Sequence, residues 1–352
     1  MKSFQIGKRL IGAEHPTYII AEMSGNHGQS FEQAEKILRA AKAAGADAVK
    51  LQTYTADTMT IKSDRPEFQI KGSLWDGRNL YELYEEAYTP WEWQPRLKAI
   101  ADELGIDLFS TPFDETAVDF LEEMNVAVHK IASFEMTDTA LLRKVAATRK
   151  PIIMSTGMAS LEEIEESIET LRAAGANQIV LLKCTSSYPA PPETMNLNTI
   201  PNLAERFGVV AGLSDHTLGT SVPIAAVALG ARVIEKHFTL SRNEPGPDSA
   251  FSLEPHEFSQ MVEAVRTAEQ ALGTVSYGKN ELEAKSKAFR RSLFVVEDVK
   301  AGEEFTSRNV RSIRPGYGLP PKHFEEVLNS RANRDIARGT PLEWNLIHDT
   351  KN

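Results

Sequence analysis

Short apolar runs alternate with amphipathic stretches over most of the chain. TYIIAEM (17–23) is the first run, and apolar residues at helical spacing follow it over 31–44. DAVKLQTY (47–54) leads into a long connection, 55 to about 90, and then a predicted helix over 93–104. IDLFSTPF precedes a helix over 115–124, AVHKIAS one over 139–147, and PIIMSTG one over 161–174. QIVLLKCTS, GVVAGLSDH and ARVIEKHF precede helices over 200–207, 221–229 and 256–272. Runs that are apolar throughout, rather than alternating, are what a parallel sheet covered on both faces requires. Glycines in AGAD, ELGID, RAAGAN, RFGV and ALGAR stand where each helix should end.

Eight strand–helix units predict a closed (β/α)8 TIM barrel. The competing doubly wound open sheet usually carries a glycine-rich phosphate turn after its first strand, and EMSGNHG is not that motif. The pattern changes after about Gly278. A charged stretch, KNELEAKSKAFRRS, gives way to short strands with glycines and prolines and no further repeat. The expected organisation is a barrel over 1–278, a linker over 279–288 and a small, mostly β domain over 289–352.

Composition narrows the function. A net charge of −10 argues against nucleic acid as the main partner. No segment has the long apolar run of a membrane span, and the N-terminal stretch lacks the apolar core of a signal peptide. Cys184 is the single cysteine, which excludes an internal disulfide and fits a reducing cytoplasm. It lies in an apolar strand with no base beside it in sequence, so a buried structural thiol is expected. Trp91 and Trp93 read as packing residues.

A barrel of this kind carries its site at the C-terminal ends of its strands. Those ends hold Glu22, Lys50, Gln52, Ser110, Thr111, Lys130, Ser133, Glu135, Ser155, Thr156, Lys183, Thr185, Ser186, Ser214, Asp215, His216, Glu235, Lys236 and His237. A lone histidine there is ordinarily a hydrogen-bonded structural residue. His216 and His237, however, lie 21 residues apart, one unit, and so stand at matched heights on neighbouring strands. The pair points to an open divalent-cation site, with Mn²⁺ preferred and Mg²⁺ or Co²⁺ as options, acting as a Lewis acid. Lysines beside serine and threonine hydroxyls favour an anionic substrate carrying phosphate and carboxylate, although any one of these lysines can instead point outward between strand and helix. Glu22, Glu135 and Asp248 are candidates to move protons or orient a partner.

The motifs IIAEMSGNHGQS, GADAVKLQTY, STPFD, HKIASFE, IMSTGMA, KCTSSYPAP, GLSDHT, EKHFT and PDSAFSLEP, in this order, resemble those of the bacterial sialic-acid synthases. These enzymes condense phosphoenolpyruvate with an amino-sugar aldehyde. The tail with RPGYGLPP resembles their antifreeze-like (SAF, β-clip) domain. The resemblance implies that His216 and His237 bind the metal. It places Lys50, Thr111, Lys130, Ser133, Ser155, Ser186 and Ser214 around phosphoenolpyruvate, and Glu22, Gln52, Glu135, Tyr188 and Asp248 toward the sugar. Arg314 would reach the sugar from the partner subunit of a domain-swapped homodimer. Lys50, Lys130, Glu22 and Glu135 are the catalytic candidates, with the proton-handling glutamate left open. The long second connection, and Ser186 where the neuraminate enzymes have asparagine, resemble the branch using a 2,4-diacetamido-2,4,6-trideoxy hexose. Sister synthases making neuraminic or legionaminic acid, a lysine Schiff-base aldolase and a non-catalytic binding protein are the alternatives.

Overall fold

The computed structural model describes residues 3–72, 75–244, 246–278 and 281–348. It divides into two units, Met1–Gly273 and Thr274–Asn352. The predicted linker begins at Lys279 and Asn280, which lie outside the described residues; turns of helix occupy Glu281–Ala284 and Lys285–Phe289.

The first unit opens with a hairpin that has no counterpart in the sequence reading, β1 (Phe4–Ile6) paired antiparallel with β2 (Arg9–Ile11). Eight parallel strands follow: β3 (Tyr18–Glu22), β4 (Ala48–Thr53), β5 (Asp107–Pro112), β6 (His129–Ile131), β7 (Ile152–Ser155), β8 (Ile179–Cys184), β9 (Val210–Asp215) and β10 (Val233–His237). Each pairs with the next, and β10 pairs with β3 to close the barrel. The closed barrel was the expected fold. In the second unit β11 (Ser292–Val295) and β12 (Val310–Ile313) pair antiparallel over a small apolar core that includes Leu293, Val295, Phe305 and Leu342.

Local chemistry explains where the helices start and stop. Ser30, Asp114, Asp138 and Ser160 each accept a backbone N–H from the first turn of the helix they precede. Gly105 (φ 65°) and Gly208 (φ 63°) end theirs in the left-handed region, which costs glycine little.

The period of two along each strand decides what faces the barrel axis. Tyr18, Ile20, Ala48, Phe109, Val128, Ile153, Val180, Leu182, Val210 and Val233 pack together inside the barrel. Ile6 and Ile11 of the hairpin join them and plug the end where the strands begin. Arg9 of the hairpin is tied to Asp47 at 2.7 Å, and Asp47 also takes Arg266 at 3.0 Å. Ile19, Ala21, Val49, Leu51, Leu108, Ile131 and Leu181 face outward into the layer beneath the helices. Continuing the inward parity toward the strand ends reaches Glu22, Lys50, Gln52, Thr111, Lys130, Ser155, Cys184, Ser214, Glu235 and His237.

Candidate active site

Register brings the inward residues side by side. Glu22 of β3 lies across from Lys50 of β4 and from His237 of β10, Gln52 across from Thr111, and Ser214 across from both Cys184 and Glu235. The result is a buried charged cluster. Lys50 Nζ contacts Glu22 Oε2 at 2.8 Å, Thr111 Oγ1 at 3.2 Å and Glu235 Oε1 at 3.6 Å. Lys130 Nζ donates to Ser155 Oγ at 2.7 Å and stands 3.8 Å from Glu235 Oε1. Ser214 Oγ donates to the same Glu235 oxygen at 3.3 Å, while Glu235 Oε2 is buried with no hydrogen-bond partner among the described residues.

Burial disfavours every charge here, and the neighbours decide which survive. Burial raises Glu22 to about 7, with Lys50 opposing and Glu235 reinforcing the shift. Burial also works to raise Glu235, but Lys130 and Lys50 outweigh it and hold its carboxyl below the usual range. Lys50 ends above its ordinary value because Glu22 and Glu235 outweigh burial. Lys130 ends below, since burial dominates there. The cluster therefore has a fixed anion in Glu235 and a carboxyl, Glu22, that takes up a proton near neutrality.

Beside it stand the two histidines, ring centroids 5.3 Å apart. β9 ends at Asp215, so His216 follows its strand immediately. His216 Nδ1 donates to the Thr185 carbonyl at 3.0 Å, which leaves Nε2 as the lone-pair nitrogen. His237 is held neutral: burial, then the charges of His216, Lys50, Lys236 and Lys130, push it well below the usual range. Its Nδ1 is buried without a hydrogen bond, 3.9 Å from Asp248 Oδ2. Two close imidazoles, one with an orphaned buried nitrogen, fit a divalent cation. Burial works to lower His216, but Cys184 and the Thr185 carbonyl outweigh it and hold it above its ordinary value, so a cation would compete there with a proton. Among the described residues no third histidine, cysteine or carboxylate completes a closed cage, so such a site has open positions. Asp248, itself raised by burial, accepts from Ser24 Oγ, and Gln52 Nε2 bridges Ser24 (3.0 Å) and Glu22 (2.8 Å). The Tyr188 ring lies 4.5 Å from that of His216.

Ser133 and Ser186 meet around Gly157. A Cβ on that glycine would come within 2.3 Å of Ser186 Oγ and 2.7 Å of Ser133 Oγ, so the cradle needs glycine's bare backbone; the Gly157 N–H donates to Ser133 Oγ at 3.0 Å. Glu135 lines the adjoining cavity, raised by burial to about 7, and its Oε2 has no hydrogen bond among the described residues. Arg314 is carried by the second unit, exposed just after β12.

Three features escaped sequence reasoning. Cys184 is buried, as expected, but its Sγ lies 3.8 Å from His216 Nδ1, a neighbour supplied by the next strand. Glu235 was visible as a strand-end residue, yet only the register shows it between two lysines. Ser24, at φ 47°, reaches Asp248 across 224 residues of chain, and no local signal marks it. Trp91 and Trp93 pack as read, against Phe120 and against His27 and Phe31.

A parallel eight-stranded barrel with lysines, hydroxyls and paired histidines at its strand ends, followed by a small β unit, defines a class, and comparison with known proteins supplies its name. The NeuB family model matches residues 37–277 and the SAF domain model residues 290–347. The chain belongs to the NeuB family, the sialic-acid synthases that the motifs indicated. The pseudaminic acid synthase of Campylobacter jejuni (serotype O:2) is 48% identical over 96% of this chain and 98% of its own. That of Helicobacter pylori is 45% identical over 93% and 96%. Among solved structures, the spore coat polysaccharide biosynthesis protein SpsE of Bacillus subtilis is 36% identical, covers 99% of this chain and 100% of its own, and superposes with a TM-score of 0.68. No described helix is long and apolar enough to cross a membrane.

Proposed function

We propose that the chain catalyses the pseudaminic acid synthase reaction. It condenses phosphoenolpyruvate with 2,4-diacetamido-2,4,6-trideoxy-altropyranose and water, giving pseudaminic acid and phosphate. The observation that carries this reading is the convergence of Lys50, Lys130, Thr111, Ser155 and Ser214 beside two paired histidines, in a chain nearly half identical to enzymes of that name.

Lys50 and Lys130, with the hydroxyls of Thr111, Ser155, Ser214, Ser133 and Ser186, hold the phosphate and carboxylate of phosphoenolpyruvate and keep water from competing for them. Gln52, Tyr188, Asp248 and Glu135 orient the sugar in its open-chain form. A divalent cation held by His216 and His237, Mn²⁺ by preference, supplies Lewis acidity toward the aldehyde oxygen. The enol carbon forms a bond to the aldehyde carbon as the carbonyl π bond breaks and its oxygen takes up a proton to become a hydroxyl, and the central carbon of phosphoenolpyruvate becomes electron-poor. Water adds there and gives up a proton. Phosphate then leaves with the bridging oxygen, and the ketone forms. Glu135 suits the proton-accepting role better than Glu22. Glu135 lines the cavity and has no cationic partner among the described residues, whereas Glu22 is paired with Lys50 and accepts from Gln52.

The decisive test uses phosphoenolpyruvate labelled with ¹⁸O at the bridging position. Label recovered in inorganic phosphate supports the reading. Label retained in the keto acid, or a borohydride-trapped adduct on a strand-end lysine, overturns it in favour of the Schiff-base class.

A domain-swapped homodimer in the cytoplasm is part of the proposal, with Arg314 serving the partner's barrel. Arg314→Ala should raise KM for the sugar more than KM for phosphoenolpyruvate. Mixed dimers of His237→Ala and Arg314→Ala chains should regain activity, because one barrel then meets an intact tail. No recovery on mixing would exclude the swap.

A further inference from the structure

The cavity that opens on the site, about 540 Å³, is divided by chemistry. Its polar atoms come from the strand ends and the loops after them: Ser24, Gln52, Glu135, Tyr188, His237 and Asp248. The connection between β4 and β5 supplies carbon. Met59, Ile70, Leu80 and Leu83 line the cavity from that connection, and Phe113 and Phe134 join them from the loops after β5 and β6. The wall is continuous with the histidines, since Trp75 of the connection packs on Tyr188 (ring centroids 5.6 Å), and Tyr188 on His216 (4.5 Å). The Trp75 indole N–H is already given to the Pro247 carbonyl at 2.9 Å. The other polar groups on this side are the hydroxyls of Tyr54 and Tyr84 and the Lys71 ammonium. Tyr54 packs edge-on against Tyr84 (5.7 Å) and Phe113 (5.1 Å).

We propose that this apolar wall determines specificity at the end of the sugar remote from the aldehyde: it accepts a methyl group and disfavours a hydroxymethyl. The inference rests on the reaction proposed above and adds the residues that select the deoxy sugar. The physical cause is differential desolvation. With the aldehyde beside the histidines, C6 is the carbon farthest along the chain, and it meets the carbon surface of Met59, Ile70 and Leu83. A methyl there is transferred from water to an apolar surface. A hydroxyl there loses its water partners, and those three side chains offer none in return. An apolar surface rejects an added hydroxyl only modestly, so discrimination of about tenfold to a hundredfold in kcat/KM is expected, not more.

The experiment compares a 2,4-diacetamido-2,4,6-trideoxy hexose with the same sugar bearing a 6-hydroxyl, at saturating phosphoenolpyruvate and Mn²⁺. Wild type should favour the deoxy sugar by at least about tenfold. Met59→Gln and Ile70→Gln, at half-buried positions, each place an amide on the wall. Either should cut that preference to about threefold or less, with KM for phosphoenolpyruvate within twofold of wild type. Equal use of the two sugars by wild type overturns the proposal without any variant. So does an undiminished preference in both folded variants. Silence of wild type with both sugars overturns the underlying reaction as well, and wild-type turnover of either one separates the two failures.

Discussion

Glu235 and Lys236 are adjacent residues of one strand, both fully buried, and they face opposite sides of it. Lys236 points outward and donates to Asp215 and to the Thr217 carbonyl; Asp215 also accepts the Thr217 N–H and hydroxyl. Neither side chain of that pair has a buried polar atom without a partner. Glu235 points inward and shares one oxygen among Lys50, Lys130 and Ser214, while its other oxygen has no partner among the described residues. Buried polar groups in a finished structure are normally satisfied. An unsatisfied cluster at the mouth of a barrel, next to a satisfied one behind the same strand, distinguishes a binding surface from a structural joint.

The sharpest way to break this comparison is at the inward groups. His216→Ala or His237→Ala should abolish phosphate release, a fall of at least about a thousandfold, with the far-UV spectrum unchanged. Lys130→Met should cost about a hundredfold or more and leave the unfolding midpoint close to wild type. Near-normal turnover in these variants would return the inward cluster to a structural role.

The outward pair should behave in the opposite way. Lys236→Met leaves Asp215 buried and uncompensated, a cost of about 3–5 kcal/mol in stability, read by denaturant titration. The fraction that stays folded should keep wild-type specific activity to within about a factor of two. Lost activity without lost stability would contradict the division.

The smallest effect is a pH dependence. Glu135 is held protonated up to about 7 in the folded chain, against an ordinary 4.5. The folded state therefore binds the extra proton between those values. This stability is fully present below pH ~4.5 and is lost as pH rises through ~7, amounting to at most about 3 kcal/mol. Glu135→Gln should make the profile between pH 5 and 8 shallower, with Glu22, also raised to about 7, supplying the slope that remains, and make the variant relatively more stable at the alkaline end. In wild type, kcat/KM should rise with pH through an apparent pKa near 7, as a base must lose its proton first. An unchanged stability profile in the variant would remove Glu135 from the site's proton inventory.

Much of the fold was legible because helix and strand periods differ and glycines mark the helix ends. Thr139–Ala147 was located to the residue, and Phe31–Ala43 and Leu161–Ala173 to within one. The β1–β2 hairpin was not legible: each strand has three residues, and its apolar contacts lie inside a barrel formed later in the chain. In the site, parity along a strand sorts Glu235 and His237 from Lys236, so inward residues can be chosen from sequence alone. What parity cannot give is the cross-strand partner. Cys184 gains His216, and Glu235 gains Lys130, only when the barrel closes. The second connection was noted for its length; its role as an apolar wall appears only once it folds over the cavity.

The most direct measurement is phosphate release with phosphoenolpyruvate and Mn²⁺, offered 2,4-diacetamido-2,4,6-trideoxy-altrose, N-acetylmannosamine or the 2,4-diacetamido sugar of the legionaminic branch, with product mass read alongside. Turnover confined to the altrose sugar is the expected result. Preferred turnover of another sugar would keep the condensation but contradict the branch, and silence with all three in folded, metal-loaded protein would contradict the synthase reading itself.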